Sequence, residues 1–473
     1  MSDTAVSFYG GLTTIGGVHV LVEGDGASLL FDFGVPVDLN GLFGSRVQPP
    51  LPELLRAYLY TKIAPPVLDL YSPDHLAGVD RNQLARIWGD CALPRPSTER
   101  AVFVSHIHQD HMTLLRFAAP GLPVFMHRDA EIVYRCVQES GEYYGTQADI
   151  RALGHREQAR IGSFRLTLLE HDHDTPGASG FLLETPDGTI AFTGDWRRHG
   201  RHPDRVDRFI DACDAADCDV LITEGTTLNA APWGRSSSPV TELEVAEHYR
   251  RLLARAEGLV YVNVLARNTE RVADVVTATH EAGRQLAMDI PTARFWHTAL
   301  SEGMEALERY DRACEASIRI VTEGDHRGDL PYPRVALSEI AGRPCDFAYY
   351  ITLEYTYRIA DIETARPASV GRSVYFHADG NPLSDSDPLL HRWFYRYGID
   401  YENRSTGGHA DPESIRDMVR RVKPKVVVPL HSRQPSLLAT DGIARYLPVA
   451  GESIRLSALK AKGGERIGST GAH

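Results

Sequence analysis

The run Ser105-His106-Ile107-His108-Gln109-Asp110-His111 constrains this 473-residue chain more than any other feature. Its three imidazoles and one carboxylate follow directly on the apolar stretch Ala101–Ser105. They cannot share one helix face or one strand face. They suit a tight loop at a strand end whose side chains converge on ions. Neutral imidazole and carboxylate are typical zinc ligands, with Zn–N of about 2.0–2.1 Å. A solvated histidine-rich loop is the alternative, and the apolar strand ahead of the run argues against it.

Five further places can contribute. Glu170-His171-Asp172-His173-Asp174 ends an expected strand, and one of its histidines can complete a site with His106 and His108. Strand alternation does not say which. Asp195, in Thr193-Gly194-Asp195-Trp196, ends another strand, where its two oxygens can bridge two metals; Gly-Asp is also common in turns. Glu224, in Thr223-Glu224-Gly225-Thr226, ends a strand and by itself reads as a loop glutamate. His409 follows Thr406-Gly407-Gly408 and precedes a helix, so the backbone can come close and a helix N-terminus favours phosphate. A capping or packed histidine is the alternative there. His431, after Val426–Leu430, reads equally well as a core histidine.

Composition bounds the rest. At 43% hydrophobic and 24% charged residues, the chain can bury a sizeable core and is not a disordered one. Its length predicts two or three domains. Fifty basic against 63 acidic residues give a net charge of −13, which argues against a histone-like nucleic-acid binder. A local metal-bearing cleft that accepts phosphate stays compatible with that balance. No run of 18 apolar residues occurs, so no transmembrane helix is expected, and Met1-Ser2-Asp3-Thr4 predicts no secretory signal. Cys91, Cys136, Cys213, Cys218, Cys314 and Cys345 form no CxxC pair, which fits reduced thiols in a cytoplasmic protein.

Along the chain, Val18–Val22 and Ser28–Phe33 flank a turn-rich Glu23–Gly26 and predict a hairpin. Residues 36–100 are proline-rich and predict short helices in a lid-like insertion. Strands are expected at Ala101–Ser105, Leu122–Met126, Phe164–Leu169, Gly180–Glu184, Thr189–Thr193 and Asp219–Glu224. After residue 228 the style changes. Ser237-Ser238-Pro239 leads into a helix with Leu243, Val245, Ala246, Tyr249 and Leu252. A strand at Gly258–Val264, a helix at Thr269–Ala282 and a strand at Gln285–Ile290 follow, with weaker strands at Ile318–Val321, Phe347–Ile351 and Ser373–Phe376. This alternation predicts an α/β unit with a parallel sheet. Asp411-Pro412 opens a helix with Ile415, Met418, Val419 and Val422 on one face. Gly463–His473 is expected to fray.

Taken together these motifs resemble the metallo-β-lactamase superfamily and, within it, the beta-CASP nucleases of ribonuclease J type. Residues 106–111 are similar to the superfamily's second motif. Asp32, in Phe31-Asp32-Phe33-Gly34, is similar to its structural first motif. His173, in His-Asp-Thr-Pro-Gly, is similar to the third, which sets His171 aside as exposed or behind a ligand. Asp195 matches the fourth. Glu224, His409 and His431 resemble beta-CASP motifs A, B and C. The resemblance covers roughly 10–35, 100–228 and 400–435. It implies an α/β fold: an αββα metallo-β-lactamase sandwich with an inserted α/β beta-CASP domain. The expected division is 1–228 and 401–473 for the sandwich and 229–400 for the insert. Three differences stand out. The 36–100 segment is long, no ribonuclease J-type C-terminal domain is expected within the chain, and Ser432-Arg433 stands where many relatives have Gly-Glu.

The resemblance also implies chemistry. His106, His108 and His173 would hold one zinc, and Asp110, His111 and His431 the other, with Asp195 bridging; Mn²⁺ can replace Zn²⁺ at such sites. Two ions about 3.5–4 Å apart activate a water as hydroxide for in-line attack on phosphorus. His409 would be the general acid, with Glu224 orienting it, so Asp110, Asp195, Glu224 and His409 form the expected catalytic set. The implied substrate is RNA, single-stranded, because the histidine at motif C favours RNA over the DNA-repair branch. Arg250, Arg251, Arg255, Arg267 and Arg271 are candidates for the nucleic-acid path, or form a solvated helix surface among glutamates. Ser405, Thr406, Gly407 and Gly408 are better placed to hold a phosphate. A homo-oligomer is compatible with the sequence, and no membrane partner is expected. The competing function is a dinuclear-metal hydrolase of a small ester, lactone or phosphodiester, with 36–100 as its lid.

Overall fold

The computed structural model describes residues 3–37, 39, 49–89, 93–94, 97–142, 145–228, 240–322, 330–379 and 388–462. Cys91, Ser237-Ser238-Pro239 and Gly463–His473 lie outside the described residues.

Two seven-stranded sheets face each other. The first runs in the order Glu452–Arg455, Ala5–Gly10, His19–Gly24, Ala27–Phe31, Glu99–Phe103, Pro123–His127, Asp149–Leu153. The second runs Ala444–Arg445, Val426–Leu430, Val220–Glu224, Gly188–Phe192, Ser179–Thr185, Phe164–Glu170, Gln158–Ile161. Strand alternation decides which side chains fill the space between them. Val20, Val22, Leu29, Phe31 and Phe103 meet Leu166, Leu168, Phe181, Ile190, Ile222 and Val428 in one buried cluster. Their neighbours Leu21, Leu30, Val102 and Val104 point the other way, into an outer helical layer. The helices Pro203–Ala215 and Pro412–Val422 cover the outside of the second sheet through Phe209, Ile210, Ile415, Met418 and Val419. This is the expected αββα sandwich, with helices on both outer faces.

The expected hairpin at 18–33 forms, with Gly24 opposite Ala27. The described part of the proline-rich segment differs from a lid. Helices Leu51–Tyr60 and Arg81–Trp88 bury Leu55, Leu59, Leu84 and Trp88 against Tyr9, Leu21 and Leu30, so they belong to the outer layer of the first sheet. Prolines punctuate this segment without preventing burial of its apolar faces.

A third sheet is parallel throughout, in the order Arg334–Val335, Ile318–Val321, Gln285–Met288, Phe347–Tyr350, Val260–Asn263, Val374–His377, Asp400–Asn403. Parallel sheets need both faces covered. Helices Glu242–Arg255, Thr269–Glu281 and Ile290–Ser301 cover one face, and Leu337–Gly342, Arg358–Ala365 and Pro388–Tyr397 the other. Two expected boundaries move. Asp400–Asn403 pairs with Val374–His377, so the third sheet runs past residue 400. The strand from Gln285 stops at Met288, because Ile290-Pro291 opens a helix, where proline in the first turn is favoured.

The carboxyl ends of this sheet face the sandwich. Asp400–Asn403 leads directly to residues 404–411, and Asn263 leads to the helix at Thr269. No described helix is long and apolar enough to cross a membrane.

Candidate metal centre

Every candidate ligand leaves the carboxyl end of a sandwich strand. Glu99–Phe103 delivers residues 105–111, Phe164–Glu170 delivers 171–174, Gly188–Phe192 delivers Asp195, and Val426–Leu430 delivers His431. Four overlapping clusters of potential ligand atoms result: His106, His108 and His173; Asp110, His111 and His431; Asp195 with His106 and His111; and Asp195 with Glu224, His409 and His431. His173 Nε2 stands 3.3 Å from His108 Nδ1. Asp110 Oδ2 stands 3.1 Å from His431 Nε2 and 3.4 Å from His111 Nε2. Asp195 Oδ2 lies among them, 3.2 Å from His111 Nε2, 3.5 Å from His431 Nε2 and 3.9 Å from His106 Nε2. Of the two histidines at 171 and 173, His173 joins the cluster. His171 is buried against Phe209, with ring centroids 4.3 Å apart, and neither exposed nor among these ligand clusters.

The outer nitrogens are held. Asp32 Oδ2 faces His111 Nδ1 at 2.8 Å, Ser105 Oγ faces His106 Nδ1 at 3.0 Å, and Thr226 Oγ1 faces His431 Nδ1 at 2.7 Å. The Gly408 carbonyl accepts from His173 Nδ1 at 2.6 Å. Partners of this kind fix ring orientation and leave the other nitrogen for a metal. Asp32 also accepts from the Ser105 amide at 2.7 Å and holds φ = 54°, a left-handed conformation stabilised by these bonds. Close approach requires glycine at Gly408, where a Cβ would lie 2.4 Å from His173 Cε1, whereas Gly407 has open space.

Three facts fit a divalent metal. Nε2 of His106 and of His111 is buried with no hydrogen-bond partner among the described residues. The donor set is imidazole and carboxylate, as transition metals prefer. Burial and the neighbouring histidines push His106 well below its usual value, and burial brings His108 down to about 4, so both present neutral lone pairs at pH 7. Burial alone would lower His111 too, but Asp195, Asp110 and Asp32 raise it instead.

Glu224 and His409 lie beside this cluster. His409 Nδ1 is 3.0 Å from Glu224 Oε2 and 3.6 Å from Asp195 Oδ2. Glu224 accepts further bonds from the Trp196 amide at 2.9 Å and Thr226 Oγ1 at 2.6 Å. Against burial, which would lower it, the Glu224 and Asp195 carboxylates push His409 up to about 10.

The expected arginine path is redistributed. Arg267 and Arg271 are buried and paired with Glu142 and Glu242. Arg250, Arg251 and Arg255 are exposed and face Glu281, Glu247 and Glu402, a solvated surface. Sequence reasoning missed Thr226 and Ser105 as orienting groups, and Arg197; the first two sat inside quoted motifs, whereas nothing in the sequence marked Arg197.

A family model described as a beta-lactamase superfamily domain matches residues 74–256. Ribonuclease J of Thermus thermophilus is 28% identical over 200 residues, covering 40% of this chain and 34% of that protein. Ribonuclease J of Sinorhizobium meliloti is 23% identical over 364 residues, covering 72% of this chain and 59% of that protein. The chain thus spans about a third to three-fifths of these relatives. A crystal structure of a protein of unknown function from Enterococcus faecalis V583 superimposes with a TM-score of 0.74 at 22% identity, covering 96% of this chain and 100% of the other. That likeness is one of fold.

Proposed function

We propose that this chain, which has a metallo-β-lactamase fold and resembles ribonuclease J, is a metal-dependent phosphodiesterase that cleaves single-stranded RNA in the cytoplasm. The observation that carries the reading is the Glu224–His409 pair, 3.0 Å apart and beside Asp195. A metal centre alone suits many hydrolases; a charged imidazole poised next to it supplies what departure of an alkoxide leaving group needs.

In this reading His106, His108 and His173 would hold one ion, Asp110, His111 and His431 would hold a second, and Asp195 would serve both. Two zinc ions there, or manganese in their place, would supply Lewis acidity and an activated water. The residues do the remainder. Glu224, itself fixed by Trp196 N and Thr226 Oγ1, keeps His409 protonated and aimed, and His409 donates its proton to the leaving oxygen. Ser405 Oγ and Thr406 Oγ1, buried without partners among the described residues, suit phosphate oxygens. The metal charge offsets the chain's −13 locally, so a polyanion can enter.

The test is cleavage of 5′-labelled single-stranded RNA by metal-loaded wild type and His108→Ala. Support is metal-dependent cleavage by the wild type that disappears with the ion in the variant. Hydrolysis of small esters or phosphodiesters without RNA cleavage would favour the competing hydrolase. Residues 49–89 pack into the outer layer of the first sheet.

A further inference from the structure

One buried side chain joins the His173 loop to the inserted domain. Arg197 Nε donates to Asp172 Oδ1 at 3.0 Å, Nη2 to the His173 carbonyl at 3.0 Å, and Nη1 to the Gly407 carbonyl at 3.1 Å. Its fourth contact is Glu242 Oε1, 2.7 Å from Nη2. Glu242 is the first residue of the helix Glu242–Arg255 that opens the inserted domain. The same carboxylate takes Arg271 Nε at 3.0 Å and Asn268 Nδ2 at 3.1 Å. Arg271 in turn donates to the carbonyls of Ala378 and Thr406. Arg197, Glu242 and Arg271 are each at most 2% exposed, so water does not substitute for any of these partners.

Two guanidinium groups on one buried carboxylate hold only if their remaining donors are satisfied. Arg197 satisfies its own on main-chain carbonyls of the ligand loops. The Gly407 carbonyl adjoins Gly408, whose carbonyl orients the His173 ring at 2.6 Å. Arg197 therefore holds the His173 main chain directly and, together with His199 Nε2 at 2.8 Å, the Gly407 carbonyl next to the residue that orients the His173 ring. The ligands Asp110, His111 and His431 are oriented by other groups: Asp32 on His111, Thr226 on His431, and the Gly11 carbonyl, which accepts from the His431 amide at 2.7 Å.

We infer that Arg197 is a positioning residue for the His106–His108–His173 metal site, and that Glu242 sets it, so that the seating of the inserted domain is felt by one metal and not the other. This rests on the two-metal reading above.

The test is a competitive Zn²⁺ titration of the metal-free full chain against a chromophoric chelator, with Co²⁺ absorption spectra of the same proteins. Wild type, Glu242→Gln, Arg197→Lys and Arg135→Ala are compared. Arg135 faces Glu302 across the same two domains at 2.6 Å, but at an exposed position, and serves as the control. Expected is a loss of about 10–100-fold in affinity at one of two sites in Glu242→Gln and Arg197→Lys, with a changed Co²⁺ spectrum, and no change in Arg135→Ala. Thermal unfolding of each variant separates an altered site from an unfolded chain. If Glu242→Gln does not fold, Arg197→Lys, which keeps the charge, decides. Equal affinity at both sites in folded variants, or equal loss at both, overturns the inference. A wild type that binds no ion overturns the proposed function as well.

Discussion

His409 is where chemistry and electrostatics meet most closely. Its side chain belongs to neither proposed ligand triad, yet it stands 3.6 Å from Asp195, which would serve both ions of the proposed centre. His409→Ala should lower kcat by about 10²–10⁴-fold while the protein keeps its full metal content, measured by single-turnover RNA cleavage and elemental analysis. Equal loss of metal would place His409 among the ligands instead. Glu224→Gln gives the pH test. A general acid works protonated, so activity falls as pH rises through its pKa. The Glu224 carboxylate raises that pKa, so its removal should move the alkaline limb of the kcat profile to lower pH. An unmoved limb would assign the proton to another group. At this scale the sequence was readable where motifs carry chemistry. Alternation left His171 and His173 equivalent; the Gly408 carbonyl on one and the Phe209 ring against the other distinguish them, and both come from distant segments. Arg271 read as a surface cation because its partner, Glu242, lies 29 residues away on another helix.

Among the elements, the helix Pro412–Val422 sits directly after His409, and its start is defined by Asp411, whose Oδ1 accepts from the amides of Glu413 and Ser414, both at 3.0 Å. Asp411→Ala should cost about 0.5–2 kcal/mol in urea unfolding. A neutral result would mean that burial of Ile415, Met418 and Val419 alone fixes the helix. This element was readable because cap, proline and apolar spacing agree. The helices Arg128–Glu139 and Ile290–Ser301 were missed; the first, beside the first sheet, packs on the second, beside the third sheet. Each follows a strand closely, and the first carries Ala130, Val133, Tyr134 and Val137 at helical spacing, a signal the sequence offered. In the segment 36–100 the prolines announced irregular structure correctly but not its burial, because Leu55 and Trp88 find partners only in the first sheet.

For the whole molecule, seven residues from four strand ends converge on one place, where Nε2 of His106, His108 and His111 is buried without a hydrogen-bond partner among the described residues. Metal should therefore stabilise the fold: at a free Zn²⁺ concentration 100 times Kd, about 2.7 kcal/mol per site relative to the chelated protein. Calorimetry with and without chelator checks this, and an unchanged Tm would argue against a metal centre. The three-sheet plan was readable from the order of the motifs, and the parallel sheet from strand–helix alternation. The interlock of Arg197, Glu242 and Arg271 was not, since no local pattern records it. The central claim is that the Glu224–His409 pair beside this centre serves phosphodiester cleavage in RNA. It is tested most directly by comparing 5′-labelled single-stranded RNA with matched DNA, using one metal-loaded preparation of wild type and of His409→Ala. The account predicts RNA cleavage by the wild type, little on DNA, and loss in the variant with metal retained. A wild type that carries two ions and leaves RNA intact would contradict it.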